Sequence, residues 1–316
     1  MVLPPFTVVK RPSSSSNKTV LITGCSNGGL GDALAQAFHQ RGLRVIATAR
    51  NPAKIAHFKA LGIETLPLDV LSAESIEACV ASVADMTGGS LDILVNNSGA
   101  GYGMPLADAD ITEAKKCYDL NVWALLAVTQ AFMPLLLQSR RGAMIVNNTS
   151  VASVTPLPMH GIYSSSKAAA AMLTDNLRLE LAPFNIKVID LRTSGVRSNF
   201  FENLPTTPAL PRDSIYAPAR EAIEKNMTGD TFPTAIASQL WAEQVVRDLL
   251  SPKPPIHIWR GKSAWMIWFI RRFMPHTLPD GMLSKMAGLD VLVEKLPQGK
   301  EKLQIFSSIL ARIVGV

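Results

Sequence analysis

Apolar residues fall in short runs along the first two thirds of the chain, and the runs alternate between two kinds. Residues 19–22 (Thr-Val-Leu-Ile) are a β-branched apolar run stopped by glycine, the pattern of a strand buried on both faces. Residues 33–41 then carry a helical pattern, 42–50 turn into a second apolar strand, and 63–70 read as a third. Residues 73–86 are expected to be helical with Ser72 as N-cap, because a serine hydroxyl can accept from a first-turn N–H. Residues 91–95 are a fourth strand, ending in Asn96-Asn97-Ser98-Gly99. The stretch 112–137 reads as one long helix interrupted near Pro134, where an N–H is missing. A fifth strand follows at 143–147, then an alanine-rich helix ending near Pro183, then a sixth strand at 186–191. Strands alternating with helices at this spacing predict an α/β fold with a doubly wound parallel sheet.

The pattern breaks after Gly195. Residues 199–232 are rich in proline and threonine, a helix resumes at 234–250, and 255–260 fit a last strand. With no internal repeat and no linker, residues 1–316 read as a single domain. Its core spans about 18–262, residues 198–254 or so form a helical substrate lid in the final crossover, and 263–316 are an apolar C-terminal extension. Within that extension, 264–274 sets tryptophans beside Arg271 and Arg272, which suits a helix lying in a lipid interface. A wall over the substrate pocket or a homodimer contact are the alternatives, and the apolar stretch 305–316 would reinforce any of these roles. No apolar stretch reaches the ~18–20 residues a bilayer span needs.

Bulk properties narrow the classes. Nearly half the residues are apolar (47%), enough for a sizeable core. A net charge of +6 suits an anionic partner such as a phosphate, a dinucleotide or an acidic lipid surface. There is no block of like charges, finger or Arg-rich arm, so a nucleic-acid partner is not expected. The three cysteines, Cys25, Cys79 and Cys117, are widely spaced, which points to neither disulfides nor a metal site and fits a reducing compartment. Residues 1–10 hold too short an apolar run for a signal peptide, and 13–16 read as a flexible lead-in. The expected location is the cytoplasm, or its face of endoplasmic reticulum or lipid droplets if the extension binds lipid.

Candidate chemistry begins at the turn Thr23-Gly24-Cys25-Ser26-Asn27-Gly28-Gly29-Leu30-Gly31. It follows a strand and opens a helix, where small residues let a pyrophosphate approach backbone N–H groups, as in Rossmann-type folds. Gly24, Ser26, Gly29, Leu30 and Gly31 are therefore candidate cofactor contacts. Arg50 follows the second strand, where an acid would hold a ribose 2′-hydroxyl and arginine instead suits a 2′-phosphate, so NADP(H) is expected over NAD(H). Asp69 either accepts from an adenine amino group or caps a turn. Tyr163 and Lys167 share one helix face at i and i+4, and a nearby ammonium lowers a phenol's pKa toward acid–base work. Ser150, at the end of the fifth strand, points into the same crevice.

From about Lys18 to Lys262 the chain resembles the short-chain dehydrogenase/reductase family, in which such a glycine turn, an Asn-Asn-Ala-Gly-like strand end, a serine and Tyr-x-x-x-Lys recur in this order. The matching residues are Asn96-Asn97-Ser98-Gly99, Ser150, Tyr163 and Lys167, with Asn121 of Leu120-Asn121-Val122-Trp123 as a fourth catalytic residue. The resemblance implies Tyr163 as proton donor to a carbonyl oxygen that Ser150 orients. It gives Lys167 the nicotinamide ribose and the tyrosine pKa, and Asn121 a water that links Lys167 to solvent. Asn97, Val196 and Ser198 are implied to line the cofactor site. Two departures stand out: the glycine turn has one extra residue, and Thr193-Ser194-Gly195-Val196 replaces a Pro-Gly-x-Val pattern.

The C-terminal half is similar to fungal and yeast 1-acyldihydroxyacetone-phosphate reductases, at 214–216, 219–222 and 258–262. The implied function is NADPH-dependent reduction of an apolar or lipid-like ketone, with Arg197, Arg212 and Arg220 as candidate phosphate contacts. The alternatives are a reductase or dehydrogenase of a polyketide or terpenoid pathway, and a non-catalytic dinucleotide-binding regulatory protein.

Overall fold

The computed structural model describes residues 17–200, 208–228 and 235–296. The short apolar runs become β1 (Thr19–Ile22), β2 (Arg44–Ala49), β3 (Glu64–Pro67), β4 (Ile93–Asn96), β5 (Met144–Asn148), β6 (Lys187–Thr193) and β7 (His257–Arg260). All neighbours pair in parallel, in the order β3-β2-β1-β4-β5-β6-β7. The helices are α1 (Leu30–Gln40), α2 (Ala73–Thr87), α3 (Ile111–Tyr118), α4 (Ala124–Leu137), α5 (Gly161–Glu180), α6 (Arg220–Met227), α7 (Ser238–Leu249), α8 (Ala264–Phe273), α9 (Asp280–Met286) and α10 (Leu289–Lys295). The expected doubly wound parallel sheet is present.

Alternate side chains along each strand feed two cores. Val20, Ile22, Val45, Ala47, Ile93 and Val95 face α1 and α7, around the fully buried Phe38 and Trp241. Leu21, Ile46, Leu94, Ile145 and Val188 face α2 and α4, around Phe132. Each valine, leucine, isoleucine or phenylalanine among them contributes roughly 1.5–3 kcal/mol of burial. A third, smaller cluster of Met159, Leu210, Ile223, Met227, Ala287 and Leu292 binds α6 to α9 and α10 above the sheet's C-terminal edge. Ser72 caps α2 as expected, accepting from Ser75 N–H at 3.1 Å.

Three details differ from the sequence reading. The long helix is interrupted not at Pro134, which sits inside the last turn of α4, but at a π-turn over Asp119–Trp123. A proline so close to a helix end removes only one late hydrogen bond, whereas the π-turn shifts the register and carries Asn121 toward the site. Taken as one helical run, Ile111–Leu137 is long and apolar enough to cross a bilayer by length and composition. Half of its most apolar window is buried, and the buried side is what α2 and the sheet pack against. Finally, among the described residues of the 198–254 stretch expected to form a lid, Leu210, Ala219 and α6 lie in the upper cluster but α7 does not. Helix α7 packs on α1, where Trp241, Val245, Val246 and Leu249 are core residues.

Candidate active site

A parallel sheet opens a crevice where its strand order reverses, here between the C-terminal ends of β1 and β4. Thr23, at the end of β1, ties the two strand ends together: its hydroxyl accepts from Asn97 N–H at 2.9 Å and Ser98 N–H at 3.0 Å. The glycine turn fills the crevice floor with almost no side chain. Gly24 and Gly28 have φ of +72° and +76°, a region in which side chains are strained. A methyl on Gly31 would lie 2.5 Å from Gly24 O, and one on Gly29 2.9 Å from Ser26 O. Ser26 O accepts from Gly29 N–H at 3.0 Å, and Leu30 opens α1, whose first turn has no side-chain cap. An uncapped helix start behind a turn with almost no side chain is the setting in which backbone N–H groups take an anion, so the cradle fits a dinucleotide pyrophosphate. Gly29 stands at the N-cap position of α1, and Leu30 and Gly31 open the helix.

Asp32 is buried behind this turn. Its carboxylate accepts from Gly28 N–H at 2.9 Å and from Gln36 at 2.8 Å, and lies 3.0 Å from His57 Nε2. Sequence reasoning passed over it, although an acid in the first turn of a helix is a recognisable N-terminal signal. Asn199, from the loop after β6, donates to Asn27 O at 3.2 Å and lies against Gly28. The loop thus closes over the turn. In the same loop Val196 bridges to Ile236, and Ser198 is partly exposed.

Arg50 is exposed at the end of β2, next to Asn51, which caps the 3-10 segment Pro52–Leu61. Asp69 Oδ1 accepts from Leu71 N–H at 3.1 Å, a turn cap that leaves the second carboxylate oxygen to accept elsewhere. The Asn97 amide donates to Thr23 O and Gly24 O and accepts from Asn148, so the side chain clamps β1, β4 and β5 together at the crevice.

At the end of β5, Ser150 is buried and its hydroxyl accepts from Ala152 N–H at 3.1 Å. Tyr163, half-buried on α5, has its phenol beside the Ser150 hydroxyl and packs edge-on to Phe200, ring centroids 5.5 Å apart. Lys167, one turn on, is buried, donates to Asn148 O at 3.0 Å and lies 6.0 Å from the Tyr163 ring centroid. Asn121 accepts from Ala100 N–H at 3.0 Å and donates to Ala100 O at 2.9 Å and Ser166 Oγ at 3.0 Å. Next to Asn121, Gly99 leaves room for Lys167, whose Nζ would be 3.3 Å from any added methyl. The four expected catalytic residues therefore meet at one point.

The expected drop in the tyrosine pKa is not found. Burial pushes the Tyr163 phenol up to about 12, against which its bond to Ser150 acts, and burial pulls Lys167 down to about 8. Desolvation outweighs a cation whose charge is itself weakened by its surroundings. The phenol is therefore fully protonated near neutrality, the form a proton donor needs.

Below the site, Asp190 of β6 is buried. It accepts from the Thr149 hydroxyl and pairs with Arg192 at 2.6 Å, and the Arg192 guanidinium stacks on Trp259 at 4.8 Å. Above it, His160 is buried just before α5 and bonds Asn226 O of α6 at 3.1 Å. Burial holds its pKa below the ordinary 6.5 although both of its backbone partners favour the cation. Nothing in the sequence marked this histidine. Of the candidate phosphate contacts, Arg197 and Arg212 are exposed. Arg220 instead staples the lid, donating to Leu210 O at 2.6 Å and Pro211 O at 2.7 Å and pairing with Glu224.

Comparison with known proteins places this arrangement. A family model described as short chain dehydrogenase matches residues 18–209. A short-chain dehydrogenase/reductase of Pestalotiopsis microspora is 50% identical over 89% of this chain and 98% of its own. An NADPH-dependent 1-acyldihydroxyacetone phosphate reductase of Schizosaccharomyces pombe is 37% identical over 78% of this chain and 86% of its own. Among solved structures, a short-chain dehydrogenase from Streptomyces avermitilis superposes with a TM-score of 0.71 at 25% identity, covering 89% of this chain and 99% of that one. The matched span carries the glycine cradle, Asn121, Ser150, Tyr163 and Lys167, so the chain belongs to the short-chain dehydrogenase/reductase family and is an oxidoreductase acting on a carbonyl group or its alcohol.

Proposed function

We propose that the protein is an NADPH-dependent reductase of an apolar, lipid-like ketone. One observation carries the reading: Tyr163 stands beside Ser150 at the mouth of β5, with Lys167 and Asn121 behind it. When bound, the dinucleotide supplies hydride to the carbonyl carbon. The Ser150 hydroxyl orients the carbonyl oxygen, and Tyr163 O–H gives it a proton as negative charge develops. Lys167 is set to hold the ribose hydroxyls, and Asn121 to hold the end of a proton path to solvent. Arg50, exposed beside the adenosine end of the crevice, supports NADPH over NADH, as does the cofactor named for the Schizosaccharomyces pombe relative.

That relative also makes 1-acyldihydroxyacetone phosphate the favoured substrate. A phosphate-free polyketide or terpenoid ketone is the second reading, favoured by Arg220, whose guanidinium is occupied by lid carbonyls. The test is NADPH oxidation with 1-palmitoyl-dihydroxyacetone phosphate beside a panel of phosphate-free ketones, with NADH as control. Turnover of the phosphorylated lipid supports the first reading, turnover only of the others the second. In either case Tyr163→Phe should lower turnover by about 10²–10⁴-fold while NADPH still binds. Unchanged turnover by that variant would exclude this chemistry, and a cellular role that survives the substitution would point to a regulatory dinucleotide-binding protein.

A further inference from the structure

Helix α8 wears its aromatic residues on the outside. Stepping at about 100° per residue places Trp268, Arg272, Trp265, Phe269 and Phe273 in that order around one arc. All five are exposed, Trp265 at 72% and Phe273 at 60%. The opposite arc, with Ala264, Ile267 and Ile270, turns inward. The outward rings pack on each other, Trp268 and Phe269 lying 5.9 and 5.2 Å from Phe273 between centroids. Exposed Met274, Leu278 and Met282 continue it. Residues 261–279 carry Lys262, Arg271 and Arg272 and no acid.

We propose that α8 seats the protein on the surface of an anionic phospholipid bilayer. The helix is about 15 Å long, far short of the ~30 Å hydrocarbon core, so it lies in the interface and does not cross it. Indoles favour that layer, and a guanidinium set between them meets lipid phosphates while its stem stays among acyl chains. A second copy of this chain would answer less well. In a two-fold contact the patch faces itself, and Arg272 would be buried with no acid opposite it. The position serves the chemistry as well. Lys262, just before α8, is tied to the end of β6 by Ser194 Oγ to Lys262 O at 2.8 Å and Lys262 N–H to Gly195 O at 3.2 Å. The helix is thus rooted on the edge of the sheet where Ser150 and Tyr163 lie, and a lipid-like ketone would reach the crevice from the surface that holds the enzyme.

Co-sedimentation of the full-length protein with vesicles of phosphatidylcholine alone, and with about one third phosphatidylserine, tests this. Wild type should partition onto the anionic vesicles at least ~10-fold better than onto the neutral ones, with salt weakening the difference. The double variant Trp265→Ser/Trp268→Ser should lose ~10-fold or more of that binding while keeping its melting temperature and its turnover of a short, water-soluble ketone. Vesicle binding is read without turnover, so it stands or falls apart from the substrate assignment. The idea is overturned if wild type ignores both vesicles, if the double variant binds as well as wild type, or if the substitutions abolish only a lipid-independent dimer.

Discussion

A phenol that keeps its proton and an ammonium close to losing its own make an asymmetric pair. Reduction needs Tyr163 protonated and Lys167 charged, so kcat/KM for ketone reduction should be flat up to about pH 8 and then fall as Lys167 titrates. Alcohol oxidation needs the phenolate and should keep rising in the same range. A pH profile run in both directions checks this, and parallel profiles would refute it. At the other end of the crevice, Arg50→Glu should reverse the preference for NADPH over NADH by about tenfold or more in kcat/KM, because the acid repels a 2′-phosphate and accepts from a 2′-hydroxyl. Ser150, Tyr163 and Lys167 were legible because the glycine turn, the strand-end asparagines, the serine and Tyr-x-x-x-Lys stand in the order of a known family; the i, i+4 spacing by itself put only Tyr163 and Lys167 on one helix face. The direction of the tyrosine shift was not legible, because desolvation depends on walls such as Phe200 that come from distant sequence.

The strands were readable as elements because a strand buried on both faces must be continuously apolar, as in residues 19–22. The π-turn was not, because a one-residue change of helical register leaves the apolar pattern of 111–137 almost intact. Nor was the split between α6 and α7: composition marks both as following a break, and only packing shows α7 on the sheet. At this scale His160 is the hinge pin between α5 and α6. Its pKa is depressed by burial, so below the ordinary 6.5 the unfolded chain binds a proton that the folded one refuses. Stability should therefore fall as the pH drops through and below that value, and His160→Gln should flatten this part of the curve in urea denaturation. An unchanged slope would mean that another group governs the acid limb.

For the molecule as a whole, the parallel sheet and the place of its crevice follow from alternating strands and helices, while the cover of the crevice follows from nothing so periodic. Proline-rich sequence around 199–232 carries no repeat from which a lid could be read, and anchors described there, Arg220 on two backbone carbonyls and Asn199 on Asn27, are isolated side chains with no periodic signal.

The three cysteines give this architecture a use of another kind. All are buried, Cys25 beneath the glycine turn, Cys79 on α2 and Cys117 behind Asn121. Burial pushes Cys79 up to about 12 and the other two thiols above their usual range. An alkylating reagent needs an accessible thiolate, so the native protein should be silent toward maleimide for as long as it stays shut. Each cysteine then acts as a clock for a different layer, and mass spectrometry after a timed pulse of reagent would show which layer breathes first. Bound NADPH should delay labelling of Cys25 and Cys117 more than that of Cys79. Equal delay at all three would mean that the protein opens only as one unit.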